Sequence, residues 1–321
     1  MPVTDAAARR DPEAAIREGS KSFALASKLF DDRTRQLVWD LYAWCRHCDD
    51  VVDGQIMGHG TIGREPQDAA LASLRRETDR ALAGSEALTS PFAGLARVAA
   101  ATGLPGAFVH QHLDGFAMDV AGRRYETLDD TLHYCYGVAG VVGLMMAWIM
   151  GVRDRQTLLR ACDLGLGFQL TNIARDVADD LEAGRVYLPG SWLREAGVRL
   201  TPGASLTSST RPALVPVVAR LLDEAGRYYA SSWYGIARLP FRSAWAVATA
   251  RHVYADIGAE VRRRGARAWD NRVATTKARK VARLALAATE ASWLVTAGRC
   301  TDAPLRRGLW LPPDAMLGWP A

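Results

Sequence analysis

The sequence predicts an all-α protein, and three observations carry that prediction. Apolar residues recur at helical spacing through nearly the whole chain, the breaks are marked by proline, glycine or a capping residue, and no alternating run is long enough for a useful strand. At 321 residues, 49% hydrophobic and 23% charged, the chain can bury a sizeable core as one large or two ordinary domains. No repeat or low-complexity linker divides it, so one helical domain is expected over 16–299. Residues 1–15 read as an N-terminal extension and 300–321 as a C-terminal tail.

Taken in order, Asp11-Pro12-Glu13 places a cap before a proline at the first helical position. Asp31-Asp32 opens a segment whose apolar set, Leu37, Val38, Leu41, Tyr42 and Cys45, runs directly into an acidic cluster. Further starts fall at Glu65-Pro66, Ser90-Pro91 and Leu104-Pro105, the last opening a segment that ends near Asp119. Leu128-Asp129-Asp130 leads into Tyr134 to Val152, nineteen residues without a charge. That is long enough to span a membrane, but its four glycines, its isolation and the lack of a flanking basic cluster favour a buried core helix. Asp154 opens the next helix, which ends before a loop at Gly184–Gly190. A polar stretch from Gly197 to Pro212 reads as a surface connection, and three long helical patterns follow at 211–236, 241–264 and 273–298. The tail segment Arg306–Pro313 mixes charge with aromatic surface, suited either to packing back on the domain or to touching lipid.

Two stretches carry chemistry. In Tyr42-Ala43-Trp44-Cys45-Arg46-His47-Cys48-Asp49-Asp50-Val51-Val52-Asp53, a helix sets Asp49 and Asp53 one turn apart on one face. In Gln169–Asp180, Asn172, Asp176 and Asp180 repeat every four residues and form a second polar stripe, which begins from apolar sequence. One such pair alone is ordinary surface. Two clusters facing each other, with Asp50 and Asp179 among them, would repel without cations. Hard oxygen donors at this spacing suit Mg²⁺, which takes one or two carboxylates and completes its shell with water and phosphate oxygens.

Composition narrows the setting. Five scattered cysteines indicate neither a disulfide framework nor a zinc site, and Met1–Arg10 lacks the apolar core of a signal peptide, so a reducing cytoplasm is expected. The net charge of +5 is uneven: Arg251 to Arg283 holds ten Lys and Arg against three Asp and Glu. A solvated helix face and an anionic membrane surface or substrate are both open readings; no nucleic-acid motif accompanies the charge. Cys45, Cys48 and His47 read as packing residues, while Arg185 either anchors its loop or reaches substrate.

The first acidic run, Tyr134-Cys135-Tyr136-Gly137-Val138-Ala139-Gly140-Val141-Val142-Gly143, the second stripe, and Gly184-Arg185-Val186-Tyr187-Leu188-Pro189 together resemble the signature blocks of the squalene/phytoene synthase family, closest in wording to its bacterial phytoene-forming members. The resemblance spans about Ser20 to Arg283. It implies an isoprenoid-synthase-type helical bundle around a central cleft, in which two prenyl diphosphates are joined head to head. By that resemblance Asp49, Asp53, Asn172, Asp176 and Asp180 hold metal, as two or three Mg²⁺ or Mn²⁺ ions bridged by diphosphate. Ser20, Lys21, Ser22 and Phe23 lie beside substrate; Arg46, Tyr254 and Arg272 contact diphosphate; Gln169 and Asp119 line the cleft; and Tyr42 and Tyr187 stand near the reacting carbons. The implied reaction takes two geranylgeranyl diphosphates to phytoene without a nicotinamide, at the inner face of a cytoplasmic membrane, with handover to a carotenoid desaturase. The alternative inside the family is squalene or dehydrosqualene formation from farnesyl diphosphate. Outside it stand a chain-elongating prenyltransferase, a terpene cyclase and a non-catalytic membrane-binding helical protein.

Overall fold

A computed structural model describes residues 12–19, 21–54, 67–300 and 303–312. The described residues form helices and connections, with no strand among them. The helices are α1 Pro12–Gly19, α2 Lys21–Ser27, α3 Asp32–Asp53, α4 Gln67–Leu82, α5 Ser90–Thr102, α6 Gly106–Val120 and α7 Leu128–Cys135. After a π-turn at Tyr136–Gly140 come α8 Val141–Ile149, α9 Arg155–Glu182, α10 Gly190–Glu195, α11 Thr210–Ile236, α12 Phe241–Arg264 and α13 Lys277–Thr296.

Most starts fall where capping chemistry places them. Asp31 accepts from the Thr34 N–H at 2.9 Å, Asp154 from the Thr157 N–H at 2.8 Å, and Thr127 with Asp130 forms a reciprocal capping box before α7. Asp11, Glu65 and Pro66 lie outside the described residues. The polar connection after Gly197 ends at Ser209, three residues sooner than expected, because α11 begins at Thr210.

The 28-residue α9 is the axis of the molecule. It is buried on most of its circumference, as a central helix must be, and packs against α7, the π-turn, α8, α11 and α12. Its approach to α8 is backbone-close: a Cβ on Gly165 would strike the Ala139 carbonyl, and one on Gly143 the Ala161 carbonyl.

The uncharged stretch differs from the expected unbroken helix. Leu128–Ile149 is long and apolar enough to cross a membrane, yet 67% of its most apolar window is buried inside the protein. It is also interrupted by the π-turn, where the Val141 N–H reaches back to the Tyr136 carbonyl. The cause lies on α6. Gly115 and Gly137 meet with no room for a side chain, the Gly137 carbonyl lies 3.0 Å from His112 Nδ1, and the Tyr136 hydroxyl donates to Gln111 at 2.5 Å.

The described part of the tail packs back on the domain. Arg306 forms a two-pronged pair with the fully buried Asp163 of α9, its Nε at 2.8 Å, and Pro304 accepts from Arg160. The Trp310 N–H donates to the Tyr228 hydroxyl at 3.2 Å, and its ring lies beside Tyr136. The basic segment is largely paired within the protein as well: Arg262 with Asp223, Arg263 and Arg264 with Glu260, Arg283 with Asp256, and Arg272 with Asp176.

Candidate active site

Both acidic clusters sit in the last turns of their helices, α3 and α9, with no Lys or Arg in either last turn. Helix C-termini carry partial negative charge, so this is the electrostatically costly end for a carboxylate. Arginines answer the cost. Arg46 spans Asp49 at 2.7 Å and Asp50 at 2.8 Å, Arg185 reaches Asp53 from the loop after α9, and Asp176 accepts from Arg175 Nε at 2.7 Å and from Arg272 at 3.1 and 3.2 Å.

The compensation is incomplete. Burial, with Asp53 and Asp50 nearby, pushes the Asp49 carboxyl up to about 6 even though its side chain keeps 39% exposure. Burial and then the Asp176 charge push Asp180 well above the usual carboxylate range, and burial raises Asp119 too. Asp176 moves the other way: burial opposes it, but the Arg175 and Arg272 guanidiniums hold it low. Arg185 ties the clusters together, since it bonds Asp53 and its charge is felt by Asp49, Asp119 and Asp180.

Beside these groups opens a cavity of about 390 Å³. Phe23, Tyr42, Arg46, Asp49, Gln169, Asn172 and Tyr254 all line it. Asp53, Asp119, Asp176, Asp180, Tyr187 and Arg272 do not line it, and Asp180 and Tyr187 border a separate small hollow with Arg185. Tyr187 donates to Asp119 at 2.9 Å and stacks on Tyr134 at 4.4 Å; Tyr134, which does line the cavity, donates to the same carboxylate at 3.0 Å. Ser20 lies outside the described residues. Lys21 and Ser22 belong to α2, and their side chains also lie outside the described ones.

Beyond Asp49 and Asn172 the lining is mostly apolar. One helical face supplies Val138, Val142, Met146 and Met150, reached across the π-turn, while Phe23 stacks on Tyr42 at 5.8 Å and Phe168 on Tyr254 at 4.2 Å.

The donor set fits a hard divalent cation held jointly with a phosphate-bearing ligand. Asn172 Oδ1 is buried without a partner while its amide donates to Gln169 at 3.2 Å, and Asp49 and Asp180 stay raised in spite of the Arg46 and Arg185 guanidiniums. Among the described residues no three His, Cys, Asp or Glu side chains converge into a ready-made cage. Mg²⁺ sites of one or two carboxylates completed by substrate oxygens need none.

Sequence reasoning missed Arg175, Tyr134, Phe168 and His112, and left Arg185 undecided. Arg185 sits in the Gly-Arg-Val-Tyr-Leu-Pro block and Arg175 directly precedes Asp176, so both had a signal: a cation beside a carboxylate stripe that needs one. His112 had none, because its partner Gly137 is 25 residues away.

Comparison with known proteins agrees with this geometry. A family profile described as squalene/phytoene synthase matches residues 16–280. A 15-cis-phytoene synthase of Pantoea ananas is 50% identical over 92% of this chain and 94% of its own length. One from Paracoccus sp. (strain N81106 / MBIC 01143) is 48% identical over 93% and 96%. Among solved structures, a dehydrosqualene synthase in complex with ligand superposes with a TM-score of 0.76 at 29% identity, covering 87% of this chain and 94% of that one.

Proposed function

Because the chain belongs to the squalene/phytoene synthase family, we propose that it condenses two geranylgeranyl diphosphates head to head into phytoene, the opening step of carotenoid formation. A cyclopropylcarbinyl diphosphate is the intermediate, and two diphosphates and two protons are released. The observation that carries this reading is a single cavity with carboxylate, amide and guanidinium groups at one end and apolar walls beyond, in a chain half identical to 15-cis-phytoene synthases.

Asp49 and Asp53 on α3 and Asn172, Asp176 and Asp180 on α9 would hold Mg²⁺ or Mn²⁺, as two or three ions shared with diphosphate. When bound, such ions neutralise the charge that develops on a departing diphosphate. Arg46, Arg185 and Arg272, now engaged with the carboxylates, supply positive charge on the same side and so orient the diphosphates. Val138, Val142 and Met146 keep water from the allylic cation left behind. The faces of Tyr42, Phe168 and Tyr254 stabilise positive charge as it passes along the chain. Confining both tails in one cavity aligns the double bond of one with the cation of the other. The reaction ends by proton loss, with no nicotinamide.

The protein acts in the cytoplasm at the inner membrane surface and hands its product to a carotenoid desaturase. Exposed Leu286 and Trp293 on α13, with Lys277 and Arg279 at that helix's start, support the membrane contact. Mass spectrometry of the hydrocarbon formed from fifteen- and twenty-carbon diphosphates, with and without a nicotinamide, tests the reading. A forty-carbon product formed without nicotinamide is expected; a thirty-carbon product alone would replace it with squalene or dehydrosqualene formation.

A further inference from the structure

The reaction cavity shares a wall with a second hollow. A surface cleft of about 480 Å³, edged by Arg33, Leu37, Trp148, Phe241 and Arg242, lies behind its apolar end. Among the described residues, Met150 is the one that lines both. The chain crosses the partition at three places, with Phe30, Ala147 and Leu239 facing inward and their successors Asp31, Trp148 and Pro240 facing the cleft.

At each crossing the backbone is pinned. Arg242 donates to the Leu29 carbonyl at 2.9 Å and the Phe30 carbonyl at 3.2 Å, and Arg299 to the Leu239 carbonyl at 3.1 Å. At the end of α8 the Met150 N–H bonds Met146 at 3.1 Å, the Val152 N–H bonds Ala147 at 3.0 Å, and Arg153 clamps the Trp148 and Val152 carbonyls at 2.8 Å each. Only a side chain can therefore open this wall without unfolding it. Methionine, unbranched and with three rotatable bonds, changes shape at little cost.

The two ends of the cavity also differ in what they can pass. The first is ringed by Asp49, Arg46 and Asn172, so a forty-carbon hydrocarbon leaving that way would have to displace the hydration of ionised groups, whereas the Arg160 guanidinium that also lines the cavity is already bonded to Ser231 and the Pro304 carbonyl. The cleft presents Leu37, Trp148 and Met150, with the Arg153 guanidinium 3.9 Å over the Trp148 ring. Around Phe241, 40% exposed, stand Arg33, Arg153 and Arg242 against the one carboxylate of Asp31, a net positive composition that suits an anionic lipid surface.

We propose that the Met150 side chain is the movable partition through which the hydrocarbon product passes from the reaction cavity into this cleft and on into a lipid bilayer. The inference rests on the reading of the product as a hydrocarbon. Diphosphates enter and leave by the charged end, and the apolar product leaves by the other.

The test uses the full chain with labelled twenty-carbon diphosphate and vesicles of phosphatidylglycerol and phosphatidylcholine. In Met150→Trp, steady-state turnover should fall about tenfold further than diphosphate release in the first turnover does, because release becomes limiting. Labelled hydrocarbon should then co-elute with the protein. Equal loss in both phases, a switch of preference to fifteen-carbon substrate, or no change in either would each overturn the proposal. If Met150→Trp gives no cooperative melt, Met150→Ala decides alone: its hydrocarbon should reach vesicles several-fold faster than that of the unsubstituted enzyme, and an equal rate refutes the gate. Failure of the unsubstituted enzyme to form any hydrocarbon would instead strike the assigned reaction.

Discussion

Acidification should destabilise this protein through one buried imidazole. His112 is 2% exposed, packed between Trp44 at 5.4 Å and Phe116 at 4.8 Å; its Nδ1 carries the proton donated to Gly137, and its Nε2 has no partner. Burial lowers its pKa to about 4, outweighing the favourable Gly137 carbonyl. The unfolded chain takes up that proton near pH 6.5 and the folded one does not, so the contribution is complete above that value and drains away as pH falls towards 4. A gap of roughly 2.5 units at 1.36 kcal/mol each amounts to about 3 kcal/mol, or roughly 5 °C of Tm for a chain of this size. Asp49 works in the opposite sense, because its folded value near 6 lies above its unfolded one and protonation relieves it. The measurement is therefore a difference: urea unfolding of the unsubstituted protein and of His112→Gln from pH 7.5 to 4. The advantage of the unsubstituted protein should shrink by about 3 kcal/mol across that range. Parallel curves would refute the reasoning.

Asp49→Asn should abolish diphosphate release while raising the stability of the metal-free protein at pH 8 by about 1 kcal/mol, after discounting for partial exposure, since an amide there bears no penalty for ionisation. Turnover assay and calorimetry on one preparation check both halves. Mg²⁺ together with a non-hydrolysable diphosphate should raise Tm by more than the sum of their separate effects, because each supplies charge the other needs; thermal scans with either, both and neither will show whether that synergy exists. Arg306→Met should cost about 3 kcal/mol by leaving the buried Asp163 short of a partner, with limited proteolysis then cutting the tail first.

The helices were legible because their signals are local: a cap, a proline, a stripe at the right spacing. The acidic ends of α3 and α9 were legible for the same reason, being runs within a single turn or two. What escaped depends on meetings between distant residues. The π-turn needs Gly115 and His112 from α6. The pairing of Arg262 needs Asp223 of α11 and that of Arg272 needs Asp176 of α9, and the anchoring of the tail joins Arg306 to a residue 143 positions earlier. Tyr187 shows the limit within the site itself. Its block gave it an aromatic role, but only the fold shows its hydroxyl holding Asp119 and its ring backing Tyr134.

The π-turn also sets the clocking of everything after it. An α-helix advances about 100° per residue, so a wider turn changes the azimuth at which later side chains emerge. Tyr134 upstream and Met146 and Met150 downstream share one cavity because that offset lies between them. The π-turn takes up one extra residue in its revolution, so closing it to a regular α-turn without removing a residue would swing the downstream wall by roughly a quarter revolution, carrying Met146 and Met150 off the cavity while Tyr134 stayed in place. In this stretch the hydrogen-bond pattern of the backbone matters as much as the side chains it carries, because the wall beyond it is aimed by that one wide turn.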